Sequence, residues 1–120
     1  MKLMLLIIVF SLTLYSLNAQ NCKDIPQAFS NYRSASATIQ TAKFLFLDNI
    51  NTPKSSWIKS ASFKSCDRKK GYLIIYLKNN NTYIHQNLPT NIWNNFKKAN
   101  SKGSYYTKNI KKRYKLRINN

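Results

Sequence analysis

The segment GYLIIYLKNNNTYIHQNLP, residues 71–89, carries the clearest structural signal in the chain. Residues 72–78 are the most apolar run outside the N-terminal segment, and they predict a central β-strand. The three asparagines at 79–81 predict a turn, because Asn tolerates a positive φ. Residues 82–86 predict the returning strand, so the segment forms an antiparallel hairpin.

Helical spacing begins directly after this hairpin, where Leu88 and Pro89 precede a helix. Trp93 and Phe96 recur on one face of that helix, which predicts that they pack on the sheet. Gly103 is predicted to end the helix as a left-handed stop, and Ser104 to cap a second, short helix. The basic residues 111–120 are predicted to fray in part.

Two more strands are predicted on the N-terminal side of the hairpin. Residues 57–66 alternate as a strand does, and the charged turn 67–71 joins them to the hairpin. Residues 43–47 form a short apolar run that favours a strand, and 49–53 are predicted to be a linker.

Residues 25–39 show helical spacing, with Asp24 as the predicted N-cap. The predicted fold class is therefore α+β: a small antiparallel three- to four-stranded meander packed with one main and one short C-terminal helix, plus an N-terminal helix.

The first nineteen residues have the layout of a secretory signal peptide. Lys2 precedes an apolar stretch, and Ala19 is the predicted cleavage site, which predicts a secreted or periplasmic protein without a transmembrane segment after cleavage. The alternative is an uncleaved N-terminal anchor. The predicted organisation is a signal peptide at 1–19, a helical extension and linker at 20–52, a main domain at 53–116 and a tail at 117–120.

The chain has two cysteines, Cys22 and Cys66. An even number of cysteines in an exported chain predicts a disulfide, here joining the N-terminal segment to the main domain. The alternative is a reactive Cys66 with His85 as its base.

The charge is strongly unbalanced, with 20 Lys and Arg residues against three Asp and no Glu, a formal net charge of +17. Self-repulsion at this charge predicts an anionic partner or surface. Residues 97–117 contain nine basic residues, no acidic one and three interleaved tyrosines. Cations of this kind bind phosphates, and tyrosine rings stack on unpaired bases. One exposed sheet face bearing Tyr72, Tyr76, Tyr83 or His85 is predicted as a second stacking platform. The candidate binding residues are Tyr83, His85, Lys102, Tyr105, Tyr106, Lys108, Lys111, Lys112, Arg113 and Tyr114.

Common catalytic and metal-binding patterns are missing from the sequence. Three Asp residues, two of them typical of a cap and a turn, are a poor source for a carboxylate pair. One His and two disulfide-forming Cys do not make a zinc site, and two glycines do not make a phosphate-binding loop. We therefore expect no catalytic residue, no metal and no cofactor. A small metal-free nuclease that uses His85 and Lys is the open enzymatic alternative.

Residues 55–114 resemble the KTSC domain, a module found at the C-terminus of some lysyl-tRNA synthetases and as a stand-alone bacterial protein. The matching pieces occur in the family's order: Ser60–Phe63, Tyr72–Leu77, Tyr83-Ile84-His85, Leu88-Pro89, Ser101–Tyr106, Lys108-Asn109-Ile110 and Tyr114. His85 stands where the family pattern has a second Tyr. The resemblance implies a small α+β fold and a binding role, with RNA as the suspected ligand of the family.

These observations predict a non-enzymatic, exported binding module for a polyanion, either nucleic acid or an anionic cell-surface polymer. The alternative is a protein-interaction or accessory module of a cell-surface partner, with Tyr105 or Tyr106 as its main contacts. The predominance of Lys over Arg predicts binding without sequence-specific readout.

Overall fold

The structure of the protein is a computed structural model that describes residues 20–119. The predicted signal peptide, residues 1–19, lies outside the described residues. Among residues 20–119, no helix has both the length and the apolar character that crossing a membrane requires.

Four antiparallel strands form one sheet in the order of the chain, as the predicted meander requires. They are β1 (Phe46–Asn51), β2 (Ile58–Ser65), β3 (Lys70–Leu77) and β4 (Thr82–Pro89). Two of the turns contain a residue with positive φ, Arg68 at 64° and Asn80 at 71°. The predicted asparagine turn is thereby confirmed.

Within residues 20–119, three helices accompany the sheet: α1 (Tyr32–Thr41), α2 (Thr90–Lys98) and α3 (Lys102–Asn109). A short 3-10 turn, Cys22–Asp24, precedes α1. The predicted α+β class is confirmed.

Each face of the sheet carries its own hydrophobic core. One face packs on α2 and α3 through a core that includes Phe63, Leu73, Trp93 and Phe96. The other face packs on α1 and on the N-terminal segment through a second core of Ile25, Phe29, Ala35, Ile39, Tyr72, Ile74 and Ile84. Because β3 is buried on both sides, its sequence is almost continuously apolar instead of alternating.

The N-terminal helix begins seven residues later than predicted, so the prediction of a helix over 25–39 is wrong at its start. The side chain of Asn31 accepts a hydrogen bond from the Ser34 amide at 2.8 Å and is the N-cap, a role that Asp24 does not have. Phe29 is buried, as helical spacing suggested, but it lies in extended chain. Its amide donates to the Arg117 carbonyl at 2.9 Å, and its carbonyl accepts from the Asn119 amide at 2.7 Å.

The first strand is shifted relative to the prediction. Residues 49–51, expected in a linker, belong to β1 and continue its register with β2 up to the pair of Asn51 with Ser60. Pairing along β2 overrides the turn preference of asparagine in this segment.

The C-terminal region departs from the prediction at two points. Gly103 lies inside α3 and has no positive φ, and the side chain of Ser101, not Ser104, caps this helix. Residues 111–119 are held against the domain instead of fraying. The Gln86 backbone amide donates to the Tyr114 carbonyl at 3.2 Å, and the Arg117 backbone amide donates to the side-chain oxygen of Gln86 at 3.1 Å.

The disulfide between Cys22 and Cys66 is present, with the two Cα atoms 5.8 Å apart. It joins the 3-10 turn to the residue that follows β2, as predicted. The described part of the chain contains no free cysteine, so the reactive-thiol alternative for Cys66 is wrong.

Candidate functional site

Four exposed cations lie together at the end of α3 and in the turn that follows it. We call them the C-terminal basic surface: Lys108, Lys111, Lys112 and Arg113. The turn is built by backbone hydrogen bonds in which the Ile110 and Lys111 amides both donate to the Tyr106 carbonyl at 3.0 Å. Ile110 is fully buried and anchors the turn, so its basic neighbours point to the protein surface.

Two of the three acidic side chains are engaged elsewhere in the fold. Asp48 accepts a hydrogen bond from the Lys97 amine at 2.7 Å and another from the Trp93 indole at 2.9 Å. These hydrogen bonds, led by that of Lys97, hold the pKa of Asp48 below its usual value. The pKa of Asp67 is lowered by the Lys70 and Lys69 backbone amides, which donate to its carboxylate. Within residues 20–119, Lys97–Asp48 is the single ion pair, so the C-terminal basic surface has no acidic partner there.

Lys102 does not belong to this surface, although the sequence grouped it with these residues. Its amine donates to the carbonyls of Lys97 and Ala99, both at 3.0 Å. These are free carbonyls at the end of α2, so Lys102 caps that helix.

His85 and Tyr106 form a buried pair between β4 and α3. The Tyr106 hydroxyl lies 2.7 Å from Nε2 of His85, and the Tyr114 carbonyl lies 3.0 Å from Nδ1. A carbonyl only accepts, so Nδ1 carries the proton and Nε2 accepts from the Tyr106 hydroxyl. Burial lowers the pKa of His85 and raises the pKa of Tyr106, so both groups are uncharged at neutral pH.

This burial removes both residues from the candidate set for ligand contact. Tyr106 is 1 % exposed, with its ring packed against Trp57 at 5.7 Å and against Tyr83 at 6.2 Å. His85 is 5 % exposed. Tyr106 was predicted to stack on a ligand, but its ring has no accessible surface for that contact. The His85–Tyr106 pair instead holds α3 and the C-terminal segment to the sheet.

The remaining predicted tyrosines differ in accessibility. Tyr105 and Tyr114 are half-buried against the core that the sheet forms with α2 and α3. Tyr83 stacks on Tyr106 and keeps 42 % of its surface exposed. Tyr72 is buried in the core on the other face of the sheet. The prediction of one exposed tyrosine platform on the sheet is therefore wrong, because the pleat places its members on opposite faces.

The sequence did not predict a groove of about 520 Å³ that runs between residues 51–57 and 100–104. Trp57 forms part of its wall and lies against Gly103, where a Cβ atom would be 2.4 Å from the indole Nε1. The glycine thus permits close packing of α3 on the indole. No local pattern links two residues so far apart in the chain, although Gly103 itself was visible as an unusual residue.

Taken together, these elements define a small α+β module: an antiparallel meander, two C-terminal helices and an N-terminal extension fastened by a disulfide. The part of the chain that the structure describes contains no cluster of His, Cys, Asp or Glu side chains suited to a metal ion.

Residues 54–114 match the family model of the KTSC domain, and the chain belongs to this family. The chain is also similar to the crystal structure of a KTSC domain protein from Yersinia pestis, with a TM-score of 0.50 and 25 % sequence identity over 62 % of this chain and 100 % of that chain. A comparison with curated proteins found no match. The family resemblance seen in the sequence is confirmed.

Proposed function

We propose that the protein binds a polyanion, nucleic acid or an anionic cell-surface polymer, through the C-terminal basic surface and without catalysing a reaction. The observation that carries this proposal is the exposure of four adjacent cations, Lys108, Lys111, Lys112 and Arg113, with no acidic side chain in residues 97–117. The expected compartment is secreted or periplasmic. The disulfide supports it, because disulfides persist in oxidising compartments.

The proposed attraction is electrostatic and of low sequence specificity. Three of the four cations are Lys, which acts on phosphate as a point charge, whereas bidentate recognition favours Arg. On double-stranded DNA, log affinity falls linearly with log salt concentration, and each neutralised phosphate steepens this fall by about 0.9. Contact by all four cations would therefore contribute a slope of about −3 to −4.

Tyr83 is the side chain most suited to add a stacking contact, because its ring is the most exposed among the tyrosines predicted to bind. Stacking on an aromatic ring stabilises a bound unpaired base by about 1–3 kcal/mol. A contribution from Tyr83 predicts tighter binding of single-stranded than of double-stranded nucleic acid. A Tyr83→Ala variant whose affinities for single-stranded and for double-stranded nucleic acid fall by the same factor would exclude stacking.

The test compares two variants that lose the same charge. In the first, Lys108, Lys111, Lys112 and Arg113 are replaced by Gln. The second replaces a matched control set of exposed cations, three Lys and one Arg, distributed elsewhere on the surface: Lys23, Arg33, Lys59 and Lys69.

Binding of DNA, RNA and heparin is measured by fluorescence anisotropy or competition over a series of salt concentrations. We expect the first variant to lose most of the affinity and of the salt slope, and the control variant to lose much less. Equal losses would show that net charge alone attracts the polymer, and absence of binding by the unmodified protein at low salt would refute the proposal. Unfolding curves are needed for both variants, since cations near the end of a helix also stabilise it by about 0.3–1 kcal/mol each.

A further inference from the structure

The two edges of the sheet are treated differently by the fold. Along β4, the C-terminal segment lies beside the strand, with a bridge between His85 and Lys115 and the Gln86 amide bonded to the Tyr114 carbonyl. Along β1, the only strand pairing within residues 20–119 is the one with β2. The outer edge of β1 is thus open where the β4 edge is covered.

The register identifies which backbone groups point outward. The Thr52 amide donates to the Lys59 carbonyl across the β1–β2 ladder. In an antiparallel ladder, residues alternate between pointing both backbone groups at the partner and pointing both away. Thr52 and the even-numbered residues of β1 therefore point their backbone groups at β2. Leu47 and Asn49 are odd-numbered, so their amide and carbonyl groups point to the open edge. Such a row of groups is a template for another strand.

Apart from Asp48, whose carboxylate is paired with Lys97, the side chains along this edge lack the usual protection against pairing. Strand β1 contains no Lys and no Pro, and its register with β2 runs without a bulge from Phe46 to Asn51. Leu45 and Leu47 are 71 % and 58 % exposed, the highest values among the large apolar side chains of residues 20–119. Exposed apolar groups beside an open, regular strand edge are typical of an interface.

The charge around β1 decides between the possible occupants of this edge. Residues 44–53 contain no Lys or Arg, although the chain has a net charge of +17. Three neighbouring cations are turned to internal partners. The Lys64 amine donates to the Gln40 carbonyl at 3.2 Å, Lys97 pairs with Asp48, and Arg68 lies over the Phe46 ring. An anionic partner would be attracted to the positively charged parts of the surface and not to β1. A second copy of this chain carries the same net positive charge, so it needs a contact region without free cations.

From this geometry we propose that β1 pairs antiparallel with β1 of a second copy, about a two-fold axis at Leu47, so that the two sheets form one continuous sheet of eight strands. This register places the two Leu47 side chains opposite each other and Leu45 opposite Asn49. An axis at Asp48 would instead oppose two carboxylates, which is unfavourable for directly facing like charges. The inference concerns assembly and does not depend on the proposed polyanion binding.

The experiment uses the protein as cells accumulate it, with its N-terminus determined by mass spectrometry. Its molar mass is measured by light scattering and sedimentation at high salt, which screens charges and removes bound polyanions. We expect a dimer that dissociates on dilution. Leu47→Lys should give a monomer, because two Lys side chains would then face each other, while Ile118→Lys, a change at an exposed apolar residue off this edge, should leave the dimer intact.

A cysteine variant tests the register itself. In a hydrogen-bonded antiparallel pair the Cα atoms are about 5.5 Å apart, within the disulfide range of about 4.4–6.8 Å. Leu47→Cys should therefore form a disulfide-linked dimer on mild oxidation, and Ile118→Cys should not. A monomer at every concentration, equal cross-linking of both variants, or capture of a different polypeptide by the cysteine at 47 would each overturn self-pairing.

Discussion

Replacing Gly103 by Ala should destabilise this protein, although the same change stabilises most helices. Inside a helix, Ala is preferred over Gly by about 0.8–1.0 kcal/mol. At this position, however, the new Cβ would lie 2.4 Å from Nε1 and 3.0 Å from Cε2 of Trp57. Favourable contacts between carbon atoms lie at about 3.5–4.0 Å, so the indole or the helix must move.

The free-energy cost depends on how easily the indole can move. Trp57 packs edge-on against the buried ring of Tyr106, with centroids 5.7 Å apart, so its displacement disturbs the helical core. Overpacking of this kind costs about 1–3 kcal/mol. After subtraction of the gain in helix propensity, the unfolding free energy should fall by up to about 2 kcal/mol. For a domain of this size, each kcal/mol lowers Tm by about 4–8 °C.

Thermal and urea unfolding followed by circular dichroism measure this effect. The matched control is Gly103→Ala in a Trp57→Ala background, where the added methyl group meets no indole. In that background the change should be neutral or stabilising by up to about 1 kcal/mol. A higher Tm for Gly103→Ala alone, or the same loss in both backgrounds, would refute the steric argument.

Three further predictions concern the disulfide, the histidine and a helix cap. Reducing the Cys22–Cys66 bond, which spans a sequence separation of 44, should lower the unfolding free energy by about 4 kcal/mol in urea titrations with and without a thiol reductant. Burial lowers the pKa of His85 below its ordinary value of 6.5, so on lowering the pH the unfolded state takes up a proton before the folded state does. The contribution of His85 to stability should therefore be full above pH 6.5 and should decrease as pH falls toward the folded-state pKa. Because the chain has one His, a His85→Gln variant that kept the same loss of Tm between about pH 7.5 and about pH 5.5 would contradict this assignment. Lys102→Ala removes two hydrogen bonds to the end of α2 and should cost about 1 kcal/mol in thermal unfolding, and an unchanged Tm would show that water replaces the amine.

Local sequence patterns predicted the hairpin and the helix after it with good accuracy. The apolar run of β3, the asparagine turn and the core positions Trp93 and Phe96 all depend on interactions between near neighbours in the chain. For the same reason the predicted family motifs were informative, since they lie mostly in these elements. Boundaries were wrong where a distant partner decides the structure, as for residues 49–51, which pair with β2.

The candidate site shows the same division. The sequence identified the cations at 108–113, and the structure leaves their side chains exposed. It also grouped Lys102, His85 and Tyr106 with them by proximity in the chain or by residue type. Sequence spacing does not report direction, however, and these three side chains point to internal partners.

By itself, the sequence determined the α+β class, the family, the central hairpin and the excess of positive charge, because these follow from composition and from local periodicity. Only the tertiary structure decided which charges and rings are accessible. Gln86 illustrates the reason: its amide group donates to the Gln27 carbonyl and accepts from the Arg117 amide, joining two segments that no local pattern connects. Burial and hydrogen-bond partners of this kind depend on contacts between residues far apart in the chain. The same contacts cover the β4 edge and leave the edge of β1 open.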